Sequence, residues 1–110
     1  MKADLGEVEN LVGLRDALRE FSRARDWHHY HSPKNLAMAM IVEAGELVEH
    51  FQWLTPEQSA SLPPEKLAEV KDEVADVLIY LVELADVLNI DLLCAAREKM
   101  QKNAIKYPAS

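Results

Sequence analysis

The sequence predicts an all-α protein, and three observations support that fold class. Only three of the 110 residues are glycine, which disfavours a turn-rich β protein. Apolar residues recur at intervals of three and four along four stretches, as on the buried face of an amphipathic helix. Serine or aspartate precedes two of these stretches, as expected of a helix N-cap. The length suits one domain, residues 1–110, built as a four-helix bundle.

The charge balance disfavours some classes of partner. A formal net charge of −7 and a pI near 5.0 would repel nucleic-acid phosphates, so we expect no nucleic-acid partner. No run approaches the roughly 18 consecutive apolar residues of a membrane span. Met1–Asn10 also lacks the apolar segment of a signal peptide. We therefore expect a cytoplasmic protein without a membrane partner.

The first two helices are predicted from periodicity and from capping residues. The first spans about Glu7–Trp27, and its apolar positions are Val8, Leu11, Leu14, Leu18 and Phe21. After a histidine-rich link, Ser32 and Pro33 restart a helix, because serine is a good N-cap and proline fits the first helical position. This second helix is predicted to run to about Trp53.

The other two predicted helices follow a proline-rich connection. Thr55–Pro64 contains three prolines, so we expect no more than a short turn of helix there. The third helix spans about Pro64–Leu88. Asp91 then caps a fourth helix, and Pro108 closes it.

The second and third helices share one plan, an apolar seam with acidic residues along its border. The seams comprise Leu36, Ala37, Met40, Ile41, Ala44, Leu47, Val48, Phe51 and Leu54 on one helix, and Leu67, Val70, Val74, Val77, Leu78, Leu81, Leu84, Ala85 and Leu88 on the other. We expect these seams to pack together. Met38, Val42, Ile79 and Val82 lie outside the seams yet are apolar, and a single chain would leave them exposed. This surplus predicts a homodimer or homotetramer.

Two pairs of carboxylates border the seams. Glu43 and Glu46 lie three residues apart on the second helix, and Glu73 and Asp76 have the same spacing on the third. Residues i and i+3 share a helix face, so each pair points two carboxylates the same way. Like charges repel at this spacing, and a divalent cation between the pairs would relieve the conflict. Ligands that are all oxygen suit Mg²⁺, with Mn²⁺ as a possible substitute.

Other interpretations of the same residues stay open at this point. Acidic residues on helices are most often solvated surface groups. A di-iron centre of the ferritin-like type would need Glu-x-x-His, and none of Glu43, Glu46 and Glu73 has a histidine three residues later. The histidines of the link lack the second ligand cluster that a zinc site requires.

Tryptophan and lysine residues are candidates for nucleotide binding. Trp27 and Trp53 each end a helix. Such rings usually cover the end of a core, but they can also stack on a planar base, for about 1–3 kcal/mol each. Lys99, Asn103 and Lys106 share one side of the fourth helix. Lysines there ordinarily form a solvated helix end favoured by the helix dipole, and phosphate binding is the functional alternative.

Together these motifs resemble one known family. The two carboxylate pairs look like the signature of the all-α nucleoside triphosphate pyrophosphohydrolases, the MazG-like group. Further stretches are similar to its dCTP pyrophosphatase branch: Arg25-Asp26-Trp27, His31-x-Pro33-x-Asn35, Gly45-Glu46-Leu47, Phe51-Gln52-Trp53, Glu73 through Leu81, and Lys99-Met100 through Asn103 to Tyr107-Pro108. The resemblance covers roughly Leu14–Pro108. In one departure, Leu18 stands where some members carry a histidine.

The resemblance implies a fold, a reaction and a set of site residues. It implies a four-helix bundle of MazG-like type that assembles as a dimer or a dimer of dimers. It implies cleavage of a deoxynucleoside triphosphate between the α- and β-phosphates, giving the monophosphate and pyrophosphate. The implied Mg²⁺ ligands are Glu43, Glu46, Glu73 and Asp76. The residues implied around the base are Trp27, His31 and Trp53, with Tyr80 and Asn103 near the sugar and phosphates.

The predicted function is a Mg²⁺-dependent dNTP pyrophosphohydrolase acting on dCTP or a modified dCTP, in nucleotide-pool cleansing or control. Glu46 is the candidate general base, with Glu43 beside it in the catalytic group, and Lys99 and Lys106 are candidates for binding the leaving pyrophosphate. One alternative is a broader NTP or dUTP/dUDP hydrolase on the same scaffold. The other is a non-catalytic helical binding or assembly module, whose acidic pairs are only surface.

Overall fold

A computed structural model describes residues 8–110, and every regular element within them is helical. In chain order these are α1 (Leu11–Ala24), a 3₁₀ helix (His28–Tyr30), α2 (Pro33–Glu49), α3 (Pro56–Ser59), α4 (Pro64–Val87) and α5 (Leu92–Lys106). The predicted all-α class is confirmed, and the four predicted long helices are α1, α2, α4 and α5. The predicted start of the first helix at Glu7 and most of Met1–Asn10 lie outside the described residues.

Side-chain caps determine where four of the helices begin. For α1, the Asn10 side chain accepts a hydrogen bond from the Gly13 backbone N–H at 2.7 Å. The Ser32 hydroxyl accepts a hydrogen bond from the Asn35 backbone N–H at 3.1 Å, as predicted for the start of α2. The Asp91 carboxylate accepts one from the Cys94 backbone N–H at 3.0 Å, as predicted for α5. In the connection, Thr55 starts the short helix α3 with a capping box.

The ends of α1 and α4 are set by residues in the left-handed region. Asp26 has φ of 57° and Asn89 has φ of 56°. In both places the following residue donates its backbone N–H to a carbonyl five positions back, Trp27 to Ser22 at 2.9 Å and Ile90 to Ala85 at 2.8 Å. This arrangement is a Schellman motif, which closes a helix and redirects the chain. It ends the first helix at Ala24 rather than at Trp27.

The main packing in the chain joins α2 to α4. The two helices are antiparallel, because His31 lies against Glu83 and His50 lies against Glu69, with Nδ1 to Oε2 distances of 3.8 and 3.7 Å. Helix α1 crosses the C-terminal half of α4, where Arg19 binds Asp86. Among residues 8–110, the buried apolar residues are Leu36, Val70, Val82 and Ala85.

The predicted seams are buried only in part. Leu36 and Val70 are buried, but Ile41, Val74 and Leu78 are 65%, 51% and 40% exposed. Val82, which was expected to be exposed in one chain, is 3% exposed, and that expectation was wrong because α1 packs on this side of α4. A considerable apolar surface of α2 and α4 therefore has no cover from the described part of the chain.

Helix α5 extends away from the other long helices. It packs extensively against none of them. The radius of gyration of the chain is 16.7 Å, whereas a compact chain of this length has about 13 Å. The four long helices thus do not close into a bundle within one chain. Within residues 8–110, no helix combines the length and the apolar character needed to cross a membrane.

We expect Leu36→Ala to lower the free energy of unfolding by about 2–5 kcal/mol, because it leaves a cavity at the most deeply buried side chain of α2. Urea unfolding followed by circular dichroism measures the change. Lys34→Ala is the matched control on an exposed position of the same helix, and its effect should stay within about 0.5 kcal/mol. Equal effects of the two substitutions would contradict the role of Leu36 in the core.

Candidate functional site

Three of the four predicted metal ligands meet where α2 packs against α4. Glu43 of α2 and Glu73 and Asp76 of α4 each offer a carboxylate oxygen, and these oxygens lie within 4.8 Å of one another. Glu73 and Asp76 reach the same place because three residues along a helix return to one face. The antiparallel packing then sets Glu43 directly opposite them. We call these three residues the carboxylate trio.

The trio has the electrostatic properties of an incomplete cation site. Loss of water around Glu43 raises its pKa to about 7, and hydrogen bonding to Glu73 and Glu46 contributes next. Among the described residues, Glu73 Oε2 is buried and has no hydrogen-bond partner. An unpaired buried carboxylate oxygen is costly. A divalent cation would satisfy it, and the all-carboxylate donor set fits Mg²⁺ or Mn²⁺ better than zinc.

Glu46 lies beside the trio and not within it. Its side chain is exposed, and its hydrogen bonding and negative charge both raise the pKa of Glu43. It sits one turn after Glu43 on α2, on the side open to solvent. In this position Glu46 can contact a water molecule next to the trio.

Tyr80 and Glu83 continue the same face of α4 beyond the trio. Tyr80 follows Asp76 by one turn, and burial raises the pKa of its hydroxyl, with further contributions from Glu43, Glu83 and Asp76. Glu83 follows Tyr80 by three residues and faces His31, the predicted base-binding histidine. The structure therefore places Tyr80 between the trio and His31.

A cavity of about 150 Å³ lies beside Glu83, between α1, the histidine-rich link and α4. Its lining includes Leu18, Ser22, His28, His31, Val82 and Glu83. One wall is held by Arg19, which donates two hydrogen bonds to Asp86 at 2.8 and 2.5 Å. Those hydrogen bonds lower the pKa of Asp86.

Sequence reasoning gave no role to Glu83, which lies beside this cavity. Burial raises its pKa to about 7, with a second contribution from the charge of Asp86. The sequence feature that could have identified Glu83 is its position seven residues after Asp76, which places it two helical turns further along the acidic border of the seam. Its burial depends on how α1 crosses α4, and periodicity does not show that crossing.

The two tryptophans lie at opposite ends of α2. Trp27 and His31 precede its first turn, whereas Trp53 follows its last, and Trp53 is 86% exposed. The 17 residues of α2 separate these ends by about 25 Å. Trp27 packs edge-on against Phe21, with ring centroids 5.8 Å apart. Within one chain, therefore, Trp27 and Trp53 cannot enclose the same base.

The predicted phosphate-binding residues of α5 also lie apart from the trio. Lys99 and Lys106 are exposed and Asn103 is half-buried. None of the three lines the cavity beside Glu83. Lys106 lies over the ring of Tyr107, with Nζ 5.3 Å from the centroid. Within one chain, α5 makes no extensive contact with α2 or α4.

A second group of possible metal ligands occurs in the link. Asp26, His28 and His29 offer ligand atoms within 4.8 Å of one another, closer together than their sequence spacing indicated. All three are exposed, and His29 Nδ1 lies 3.5 Å from Asp26 Oδ1. Exposed clusters of this kind are common without a metal, so the trio is the stronger candidate for a cation site.

Comparison with known proteins identifies the family of this chain. The sequence profile of the MazG-like family matches residues 38–110. The chain is 42% identical over 101 residues to dCTP pyrophosphatase 1 of Homo sapiens and 41% identical over 100 residues to that of Mus musculus. These alignments cover 90% and 89% of this chain and 59% of each relative. The chain thus spans about three fifths of the length of the curated relatives that it matches.

A solved structure extends the likeness to the fold. A pyrophosphatase from Archaeoglobus fulgidus is 43% identical in sequence and superposes with a TM-score of 0.86 over 92% of this chain and 94% of that chain. The profile match includes α4 and residues 38–49 of α2, and it contains the trio and Glu46. On this evidence the chain belongs to the MazG-like family.

Proposed function

We propose that this protein is a metal-dependent nucleotide pyrophosphohydrolase that converts dCTP, or a modified dCTP, to the monophosphate and pyrophosphate. The observation that carries the proposal is the carboxylate trio, in which a buried oxygen of Glu73 has no partner among the described residues. The substrate follows from the relatives, which are named dCTP pyrophosphatase 1. The cellular role would be cleansing or control of the nucleotide pool.

The proposed cofactor is Mg²⁺, with Mn²⁺ as a substitute. Glu43, Glu73 and Asp76 would hold it, with Glu46 on the open side. When bound there, Mg²⁺ supplies neutralising charge for the triphosphate and Lewis acidity at the phosphorus. The trio would bind and orient the cation, and the packing of α2 on α4 keeps its three carboxylates in place.

Glu46 is the proposed general base. Its exposed carboxylate lies next to Glu43, so it can accept a proton from a water molecule at the edge of the site. That water attacks the α-phosphorus, the bond to the oxygen bridging the α- and β-phosphates breaks, and pyrophosphate leaves with the bonding electrons. Lys99 and Lys106 would stabilise the leaving group, and Asn103 and Tyr80 would contact the sugar and phosphates.

A homodimer, alone or paired into a tetramer, is the proposed assembly. The exposed apolar residues of α2 and α4, among them Met38, Ile41 and Leu78, need cover that a two-fold related copy can give. A second copy would also bring Trp53 and α5 to a site whose other residues come from the first. Separation of the two tryptophans in one chain supports this assignment.

The alternative functions differ in whether they require the trio to bind a metal. A non-catalytic assembly module has no use for a buried, unpaired carboxylate oxygen, so Glu73 disfavours it. A broader NTP or dUTP/dUDP hydrolase would use the same metal site and differ only in the base pocket. Three further expectations stay predictions. They are a cytoplasmic location, the lack of nucleic-acid and membrane partners, and a single domain over residues 1–110.

We expect Glu73→Gln to abolish Mg²⁺-dependent turnover, with a loss of at least about 100-fold in kcat. The variant removes a charged ligand but keeps its size, so the far-ultraviolet circular dichroism should be unchanged. Mg²⁺ titration by calorimetry should show weaker binding in the variant. Glu49→Gln, an exposed acid at the end of α2, is the matched control and should behave as wild type. Retained turnover in Glu73→Gln would remove Glu73 from the site.

Trp53→Ala should raise KM for dCTP by about 10-fold and change kcat much less, because a stacked ring contributes about 1–3 kcal/mol to base binding. Steady-state kinetics over a wide dCTP range separates the two constants. Trp53→Phe keeps an aromatic face and should recover most of the affinity. A lower kcat with unchanged KM would argue against stacking by Trp53.

Met38→Arg should shift the protein toward monomer, because it places a charge on the exposed apolar face of α2. Light scattering coupled to size-exclusion chromatography gives the mass, which we expect to be twice or four times the 12.5 kDa chain in the wild type. Glu57→Arg, on the exposed short helix α3, is the control. A monomeric wild type that retains full turnover would contradict the shared site.

A further inference from the structure

The cavity beside Glu83 contains polar groups that the proposed reaction does not use. Its volume is about 150 Å³, and Leu18 and Val82 provide apolar walls. Glu83 and His31 provide polar groups on the side nearer α4. In another protein, an engineered cavity of about 150 Å³ binds benzene, a single six-membered aromatic ring. A pyrimidine base matches that size, whereas a purine has a second fused ring.

The Glu83 carboxylate has no hydrogen-bonded partner among the described residues. Its side chain is only 13% exposed, and His31 Nδ1 lies 3.8 Å from its Oε2, too far for a hydrogen bond. The nearby Arg19 is committed to Asp86 by two hydrogen bonds. Burial raises the pKa of Glu83, and burial lowers that of His31, so the two groups do not stabilise each other as an ion pair. Glu83 therefore has acceptor capacity that no residue within 8–110 uses.

The position of Glu83 on α4 suits the base end of a nucleotide. Asp76, Tyr80 and Glu83 are spaced i, i+4 and i+7, so they share one helix face, and Glu83 lies about 10 Å along the axis from Asp76. Tyr80 lies between them, and the charges of Asp76 and Glu83 both raise the pKa of its hydroxyl. In a nucleotide the sugar likewise lies between the base and the α-phosphate.

We propose that Glu83 is the residue that determines base specificity: its carboxylate accepts a hydrogen bond from the 4-amino group of a cytosine bound in this cavity, and His31 contacts the adjacent edge. Uracil has a carbonyl oxygen in place of that amino group. Two acceptors would then face each other without a proton between them, which penalises uracil. This inference rests on the proposed function and adds to it the residue that selects the substrate.

The test compares kcat/KM for dCTP and dUTP at pH 8 with Mg²⁺ in wild type, Glu83→Gln and Glu49→Gln. The glutamine has the same size and offers both a donor and an acceptor, so it should accept uracil as well as cytosine. We expect the dCTP-to-dUTP ratio to fall about tenfold or more in Glu83→Gln. Glu49→Gln, at an exposed position on α2, should keep the wild-type ratio.

A second variant and a binding measurement make the test independent of turnover. Glu83→Leu removes the acceptor without adding a donor, so it should lose affinity for dCMP without gaining affinity for dUMP. Calorimetric titration of dCMP and dUMP measures both affinities in each variant, and circular dichroism confirms that the helices are retained. Weaker dCMP binding in Glu83→Leu supports the inference, and unchanged binding of both nucleotides overturns it.

The outcomes separate this inference from the proposed function. An unchanged ratio in Glu83→Gln, with normal pyrophosphate release, would overturn the role of Glu83 and leave the proposed function intact. Faster turnover of purine nucleotides by the wild type would overturn the assignment of the cavity to a pyrimidine. Absence of pyrophosphate release from every nucleotide would contradict the proposed function itself.

Discussion

The antiparallel packing of α2 on α4 is the constraint on which the rest of the structure depends, because it presses Glu43 against Glu73 and Asp76. Three carboxylates at one helix contact repel one another, and part of that contact excludes water. A fold that keeps them there carries an electrostatic cost that a divalent cation would remove. Binding of the proposed metal would therefore be coupled to the same contact that holds the chain together.

The acidic residues of α4 contact different partners along the helix, and this difference supports a special role for the trio. Near one end Glu69 lies close to His50 and Lys66, and near the other Asp86 binds Arg19. In the middle, the two acids of the trio meet a third acid instead of a base. Acidic residues paired with cationic side chains are ordinary surface salt bridges. Among the described residues, the trio gathers three carboxylates and leaves a buried oxygen of Glu73 without a hydrogen-bond partner, which distinguishes it from a solvated acidic face.

Much of this arrangement could be predicted from the sequence, because it depends on local rules. The i, i+3 carboxylate spacing and the caps at Ser32 and Asp91 follow from helix geometry. The burial of Val82 and Glu83 could not be predicted, since both depend on where α1 crosses α4. Nor could the direction of α5, which the left-handed Asn89 sets at the end of α4. Periodicity identifies an apolar face but does not state which helix covers it.

Exposed apolar surface, separated tryptophans and a projecting α5 support the proposal that a second copy completes the substrate site, whereas the three carboxylates of the trio come from one chain. The most direct test of the central claim is the product of dCTP hydrolysis by purified protein, measured with Mg²⁺ and with EDTA. We expect dCMP and pyrophosphate in equal amounts with Mg²⁺, and neither with EDTA. Release of single phosphates, or equal turnover in EDTA, would contradict a metal-dependent cleavage between the α- and β-phosphates at the trio.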